Sequence, residues 1–240
     1  MKNRKLLVLG IILVLVAAII SGCKIRNYDK VLININNGED GITLGYANFV
    51  FKYNQARYDL EYGSKYGASM WTGDMTGSGE TFAEEVKNDV IDTIKDQYVI
   101  RKHADEYGVT LTDEDNTKIQ EATTQFLKDN SSSTLNAMGA DENVVKEFFT
   151  NLTYVSKMQQ AMTKKGTEEG AINDTTTSSS YISNLIESWK SGIEFSVDED
   201  LLAQLKVGDL FTSSASSNTT NSTGTSNSTT TTTTTTNSAK

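Results

Sequence analysis

One cysteine, one histidine, one glycine-bracketed serine and the acidic triplet at 113–115 are the side chains of this 240-residue sequence whose types and spacing could do chemistry. Cys23 is a thiol placed directly after Ser21-Gly22, where alkylation would turn it into a thioether. As it is the only cysteine, its use there leaves no thiol for a disulfide, and with a single histidine a His/Cys metal site is excluded. His103 could act as a general base, but no nucleophile pattern accompanies it, and its helical setting fits a surface or half-buried structural residue. Gly77-Ser78-Gly79 starts like a phosphate loop, yet Phe82 occupies the third glycine's place, no Lys-Ser/Thr follows and no hydrophobic strand precedes it. Asp113-Glu114-Asp115 suggests calcium, but Lys118 stands where such a loop needs glycine, and helix capping explains the carboxylates better. No serine lies in a Gly-x-Ser-x-Gly elbow. These residues predict a protein that is not an enzyme and carries no cofactor or metal.

The surroundings of Cys23 specify its chemistry. Lys2, Arg4 and Lys5 form a positive start, Leu6 to Ile20 are uncharged and largely apolar, and small residues precede the cysteine. That order is the layout of a secretory signal, and Ile20-Ser21-Gly22-Cys23 resembles a bacterial lipobox, in which the cysteine becomes the lipidated first residue. The apolar run is shorter than the roughly 20 residues that span a bilayer, which argues against a plain membrane anchor. A diacylglyceryl thioether supplies two acyl chains, such as palmitate, enough for stable anchoring where one is marginal. The expectation is a lipoprotein held on the extracytoplasmic face of the cell membrane, of Gram-positive type, with residues 1–22 as signal peptide and 23–30 as tether.

Without the signal peptide the chain has 19 Lys+Arg against 31 Asp+Glu, a net charge of −12. Such a surface excludes nucleic acid and adsorption to anionic lipid, both of which need basic patches. Proline is absent, so prolyl isomerisation cannot limit folding. Residues 212–240 are nearly all Ser, Thr and Asn, including eight consecutive threonines at 229–236, and predict a disordered tail. Asn130 and Asn151 sit in Asn-x-Ser/Thr triplets, expected to be unused in a bacterial lipoprotein.

The body predicts a mainly α fold. A weakly alternating strand at 31–35, an Asn37-Gly38 turn and Ile42-Thr43-Leu44 come first. A helix follows over 45–62, then a glycine-rich loop over 63–79. The next helix, 81–107, carries Val86, Val90, Ile94 and Tyr98 at helical spacing. Thr112 starts another, to about Leu127, and Asp141 caps one with Val145, Phe148, Phe149, Met158 and Met162 on a wide apolar face. Residues 165–180 read as a linker, and 181–211 as a closing helix, a strand at 193–197 and a short helical turn.

The 45–62 helix has two apolar faces. Tyr46, Phe49, Val50, Tyr53, Ala56 and Leu60 form one; Phe51, Tyr58 and Tyr62 lie opposite. A second face needs a partner. Either another helix or the C-terminal segment covers it, or it is exposed and, with Met70, Trp71 and Met75, binds unfolded polypeptide.

The order of these elements, with Ala104 to Glu114 reading A-x-x-x-G-V-x-L-T-D-E and a Phe148-Phe149 helix, resembles the N-terminal peptide-binding domain of the SurA and PrsA foldases. The resemblance covers residues 31–164 and the 181–207 stretch, which is similar to the segment that returns to this domain after the family's isomerase module. It implies a SurA-N-like helical domain that binds unfolded or exported polypeptides. It departs from the family at 165–180, where a short polar linker replaces the parvulin module, and in having only His103 where parvulins use several histidines. The expected function is that of a membrane-anchored holdase without prolyl isomerase activity. The alternative is a structural or assembly lipoprotein that binds one dedicated envelope partner.

Overall fold

A computed structural model describes residues 28–173 and 176–211. The signal segment, Cys23 and the Ser/Thr/Asn tail lie outside the described residues. The first element is a hairpin. Strand β1 (Val31–Ile35) pairs antiparallel with β2 (Asp40–Thr43). The turn between them puts Asn36, Asn37 and Gly38 at positive φ of 48°, 58° and 92°, a conformation Asn and Gly tolerate.

Each of the longer helices begins on a side-chain cap. Thr43 accepts from the Tyr46 N–H to start α1 (Leu44–Tyr66). A reciprocal Thr81/Glu84 box starts α2 (Phe82–Lys102), and a Thr112/Asp115 box starts α3 (Asp113–Asp129). Ser131 caps the short α4 (Ser132–Met138), Asp141 caps α5 (Glu142–Glu168) and Thr177 caps α6 (Ser178–Ser191). Strand β3 (Phe195–Val197) and α7 (Glu199–Leu202) follow. Among the described residues this is a mainly helical fold with one small sheet, as the sequence predicts.

The sheet order is β2-β1-β3, so the first strand is flanked by its hairpin partner and by a strand about 160 residues later. The Asp198 N–H, donating to the Leu32 carbonyl at 2.9 Å, continues that closure. Helix α1 is the hub. From Leu44 to Asp59 most of its residues are buried on every side, including Phe49, Val50 and Phe51. Phe49 packs edge-on to Phe126 of α3 and Phe148 of α5, with ring centroids 5.6 and 5.2 Å away. A second cluster joins Val99 and Ile100 of α2 to Met158 and Met162 of α5 and to Ile182 and Ile186 of α6.

Several boundaries differ from the sequence reading. The first helix runs four residues past Tyr62, and Gly67–Thr72 forms a 3-10 turn rather than open loop. Helix α4 occupies a Ser-rich stretch with no amphipathic length of its own. The 165–180 linker is consumed from both ends, because α5 reaches Glu168 and α6 begins at Ser178.

Candidate functional site

The two apolar faces of α1 are both covered over its first four turns. Phe51 is 0% exposed, and Met70 and Trp71 are each 2% exposed, so these three candidate binding residues are not on an exposed surface, and the alternative in which the second face is covered holds for them. The physical reason is coverage from afar. The 3-10 turn folds back so that Trp71 stacks on Phe82 at the start of α2, centroids 5.1 Å apart, and residues 205–211 close over the remainder. Tyr58 is half-buried, edge-on to Phe82 at 5.0 Å and to Trp71 at 6.1 Å. Tyr62 and Met75 remain in solvent at 37% and 41% exposure, so two of the six predicted residues lie on an open surface. Tyr66, which sequence reasoning left out, extends the row. Tyr58 to Tyr62 is 6.2 Å and Tyr62 to Tyr66 is 6.4 Å, a tyrosine ladder at four-residue spacing running into solvent. The signal was present as Tyr58, Tyr62 and Tyr66, but the helix was expected to stop at Tyr62.

Beneath the C-terminal segment, α1 carries a polar ladder on a face that is otherwise apolar. Lys52, Gln55 and Asp59 are 8%, 0% and 4% exposed. Lys52 Nζ donates to the Lys206 carbonyl at 2.8 Å and to Gln55 Oε1 at 3.0 Å. Gln55 Nε2 donates to the carbonyls of Gly208 and Asp209, both at 3.2 Å, while its Oε1 accepts from the Gly208 N–H at 3.2 Å. Asp59 accepts from the Phe211 N–H at 2.9 Å and from the Trp71 indole N–H at 2.7 Å. Burial pushes the Lys52 ammonium down to about 8, against the opposing pull of Asp59 and Asp209. Burial likewise holds the Asp59 carboxyl above the usual range, although the Phe211 amide, Trp71, Gln55 and Lys52 all favour its ionised form. Leu205 and Phe211, 0% and 1% exposed, anchor the two ends of the segment. An open groove of about 380 Å³ runs beside it, lined by Phe51, Trp71, Thr81, Lys87 and Val207.

A second cleft of about 600 Å³ lies between β2, α2 and α5. Its floor is a hydrogen-bonded chain in which Arg101 donates to Asn151 Oδ1 (3.3 Å), Asn151 Nδ2 to the Tyr46 hydroxyl (2.8 Å) and that hydroxyl to Gln97 Oε1 (2.9 Å). Burial raises the Tyr46 phenol well above its ordinary value. Asn130 Nδ2 donates to the Phe126 carbonyl at 2.8 Å, so both triplet asparagines are buried with their amides engaged and cannot carry a glycan in the folded chain.

The remaining chemistry-bearing residues have structural partners. His103 stacks on Trp189 and pairs with Glu106 at 2.8 Å, joining α6 to the end of α2. The Gly77-Ser78-Gly79 loop does gather amides around an anion, but the anion is the chain's own Asp74. Its carboxylate accepts from the N–H groups of Gly77 (2.6 Å), Ser78 (3.1 Å) and Gly79 (2.9 Å), which hold it below the usual carboxylate range. Asp115 is committed to Thr112 and to Lys157 of α5. Among the described residues no group of three or more His, Cys, Asp or Glu could hold a metal, and no helix is long and apolar enough to cross a membrane.

No family model, curated protein or solved structure matches the chain.

Proposed function

We propose that this chain is a lipid-anchored, extracytoplasmic holdase of SurA-N-like character, which binds exported polypeptides before they fold and has no isomerase activity of its own. The observation that carries the reading is the tyrosine ladder. An aromatic cluster built on Trp71 and Phe82 is continued by Tyr58 into the exposed Tyr62 and Tyr66, with Leu60 and Met75 also in solvent. Amphipathic rings in a row, and a flexible thioether, suit varied apolar side chains without fixed geometry. The predicted net charge of −12 keeps a complex with a sticky client soluble. The return of β3 and the C-terminal segment to the first strand and first helix supports the family likeness, because it completes the domain with residues distant in sequence.

Binding of a permanently unfolded, proline-free polypeptide to the mature chain tests this by fluorescence anisotropy. Micromolar affinity is expected, and Tyr62→Ser with Tyr66→Ser should weaken it about five-fold or more, the loss of roughly 1 kcal/mol of contact, without moving the thermal midpoint. A folded chain that binds no unfolded polypeptide overturns the reading and leaves the single-partner lipoprotein in its place.

A further inference from the structure

We propose that the α1 groove filled by residues 206–211 is itself a polypeptide-binding site, which the chain's own C-terminal segment occupies until an extended client segment carrying an aromatic residue displaces it. This rests on the holdase reading and names where the client is held.

The contacts between α1 and the segment are those of a receptor with a peptide. Lys52, Gln55 and Asp59 reach main-chain atoms of Lys206, Gly208, Asp209 and Phe211, and Gln55 both donates to and accepts from that backbone. Main-chain recognition is indifferent to most side chains, and here that of Lys206 is exposed. The position of Phe211 is selective, since its ring is sunk to 1% exposure, and Val207 and Leu210 also pack on the core. The groove therefore takes an extended segment with an aromatic residue at the Phe211 position.

The ladder also makes the occupant exchangeable. A segment built permanently into a core is held best by apolar contacts, because buried charges carry a desolvation penalty. When this segment leaves, Lys52, Gln55 and Asp59 gain water, so the open groove holds no orphaned buried polar group. Residues 206–211 have no helix or strand to unravel. The empty part of the groove, beside Val207 and over Phe51 and Trp71, gives an incoming chain a place to start. Displacement uncovers the aromatic residues that the sequence offered as client-binding.

The test uses the full lipidated chain in detergent micelles and a fluorescein-labelled peptide with the sequence of residues 205–211. An internal occupant lowers apparent affinity by the fraction of time the groove is open. Phe211→Ala should therefore tighten peptide binding about ten-fold or more, and adding Gln55→Leu should reverse the gain. In the wild-type chain, the Gly208 and Phe211 amides should exchange hydrogen faster than that of Asp198, which is bonded to the sheet, and faster still with peptide present. Exchange of residues 206–211 only on global unfolding overturns the proposal, as does peptide affinity unchanged by Phe211→Ala. A wild-type dimer that swaps residues 206–211 between copies overturns it in favour of a second copy as occupant. If unfolded polypeptide binds wild type and Phe211→Ala equally but not Tyr62→Ser, the groove proposal fails while the holdase reading survives. If it binds none of them, both fail.

Discussion

The imidazole of His103 lies flat on the indole of Trp189, ring centroids 4.4 Å apart and planes 9° from parallel. Tyr107 stands edge-on to the same indole at 5.9 Å, with Lys165 Nζ 4.7 Å from the Tyr107 ring. The only histidine is thus part of a seam between α2, α5 and α6. Trp189→Ala should cost about 2–3 kcal/mol by urea unfolding, and His103→Ala about 1 kcal/mol. The double variant should lose less than the sum, because the two share one contact. Client binding should not change in any of them.

Tyr46→Phe removes one hydroxyl and two hydrogen bonds from the floor of the larger cleft. Gln97 and Asn151 each lose a buried partner, so the expected cost is about 1–3 kcal/mol. Near-ultraviolet circular dichroism should be retained, since the ring still fills its place. A cost below 0.5 kcal/mol, roughly the level of a neutral surface change, would mean that water takes over the hydroxyl's role.

Lys52 gives the stability of the fold a distinctive alkaline behaviour. Its folded value, about 8, lies below its ordinary 10.5, so between these limits the unfolded chain binds more protons than the folded one. Stability from this group therefore rises with pH across that window, and is lowest where both states carry the charge, below about 8. Urea midpoints taken at several values from about pH 7 to 9, roughly one unit or more below the ordinary tyrosine value, should rise relative to those of Lys52→Met. Parallel curves for the two proteins would show that Lys52 keeps an ordinary value.

Gly139 combines a left-handed backbone with close approach. It caps α4 at φ +67°, and a Cβ there would sit 2.9–3.0 Å from the ring of Tyr28. Gly139→Ala should cost about 1–3 kcal/mol. Tyr28→Ala in the same chain should recover the steric part but not the backbone part, which a double-variant cycle resolves.

Asp74→Ala strips the acceptor from the Gly77–Gly79 amides. Limited proteolysis should then cut within residues 73–80 well before it touches α1 or α2, whereas the wild-type loop should resist. Equal cutting in both would mean that the loop holds its shape without the carboxylate.

Much of this architecture was written locally. Thr81 with Glu84 and Thr112 with Asp115 announce the starts of α2 and α3, and Val86, Val90 and Ile94, spaced at four, are all buried as that spacing requires. What was missed depends on distance along the chain. Gly63 and Gly67 read as loop, yet the helix passes through the first and ends at the second. Periodicity flagged a second apolar face on α1 and left its cover as another helix or the C-terminal segment; the cover is Trp71 and the start of α2 together with residues some 150 positions later. Lys52, Gln55 and Asp59 gave no signal, since polar residues on a helix read as a solvated side. Only the arrival of residues 206–211 turns them into a ladder.

The path of α1 gives the proposed lipoprotein a foot and a head. At one end the Gly45 N–H donates to the Tyr28 carbonyl at 2.8 Å, five residues on from Cys23. Toward the other, Asp59 holds the Phe211 amide. These points are fourteen residues apart on one helix, about 21 Å at 1.5 Å per residue. A lipid at Cys23 would draw the Tyr28 pole toward the bilayer, leaving the tyrosine ladder and the groove at the pole that faces outward. Cargo would then be met at arm's length from the lipid surface, with the membrane restricting the angles from which it can approach.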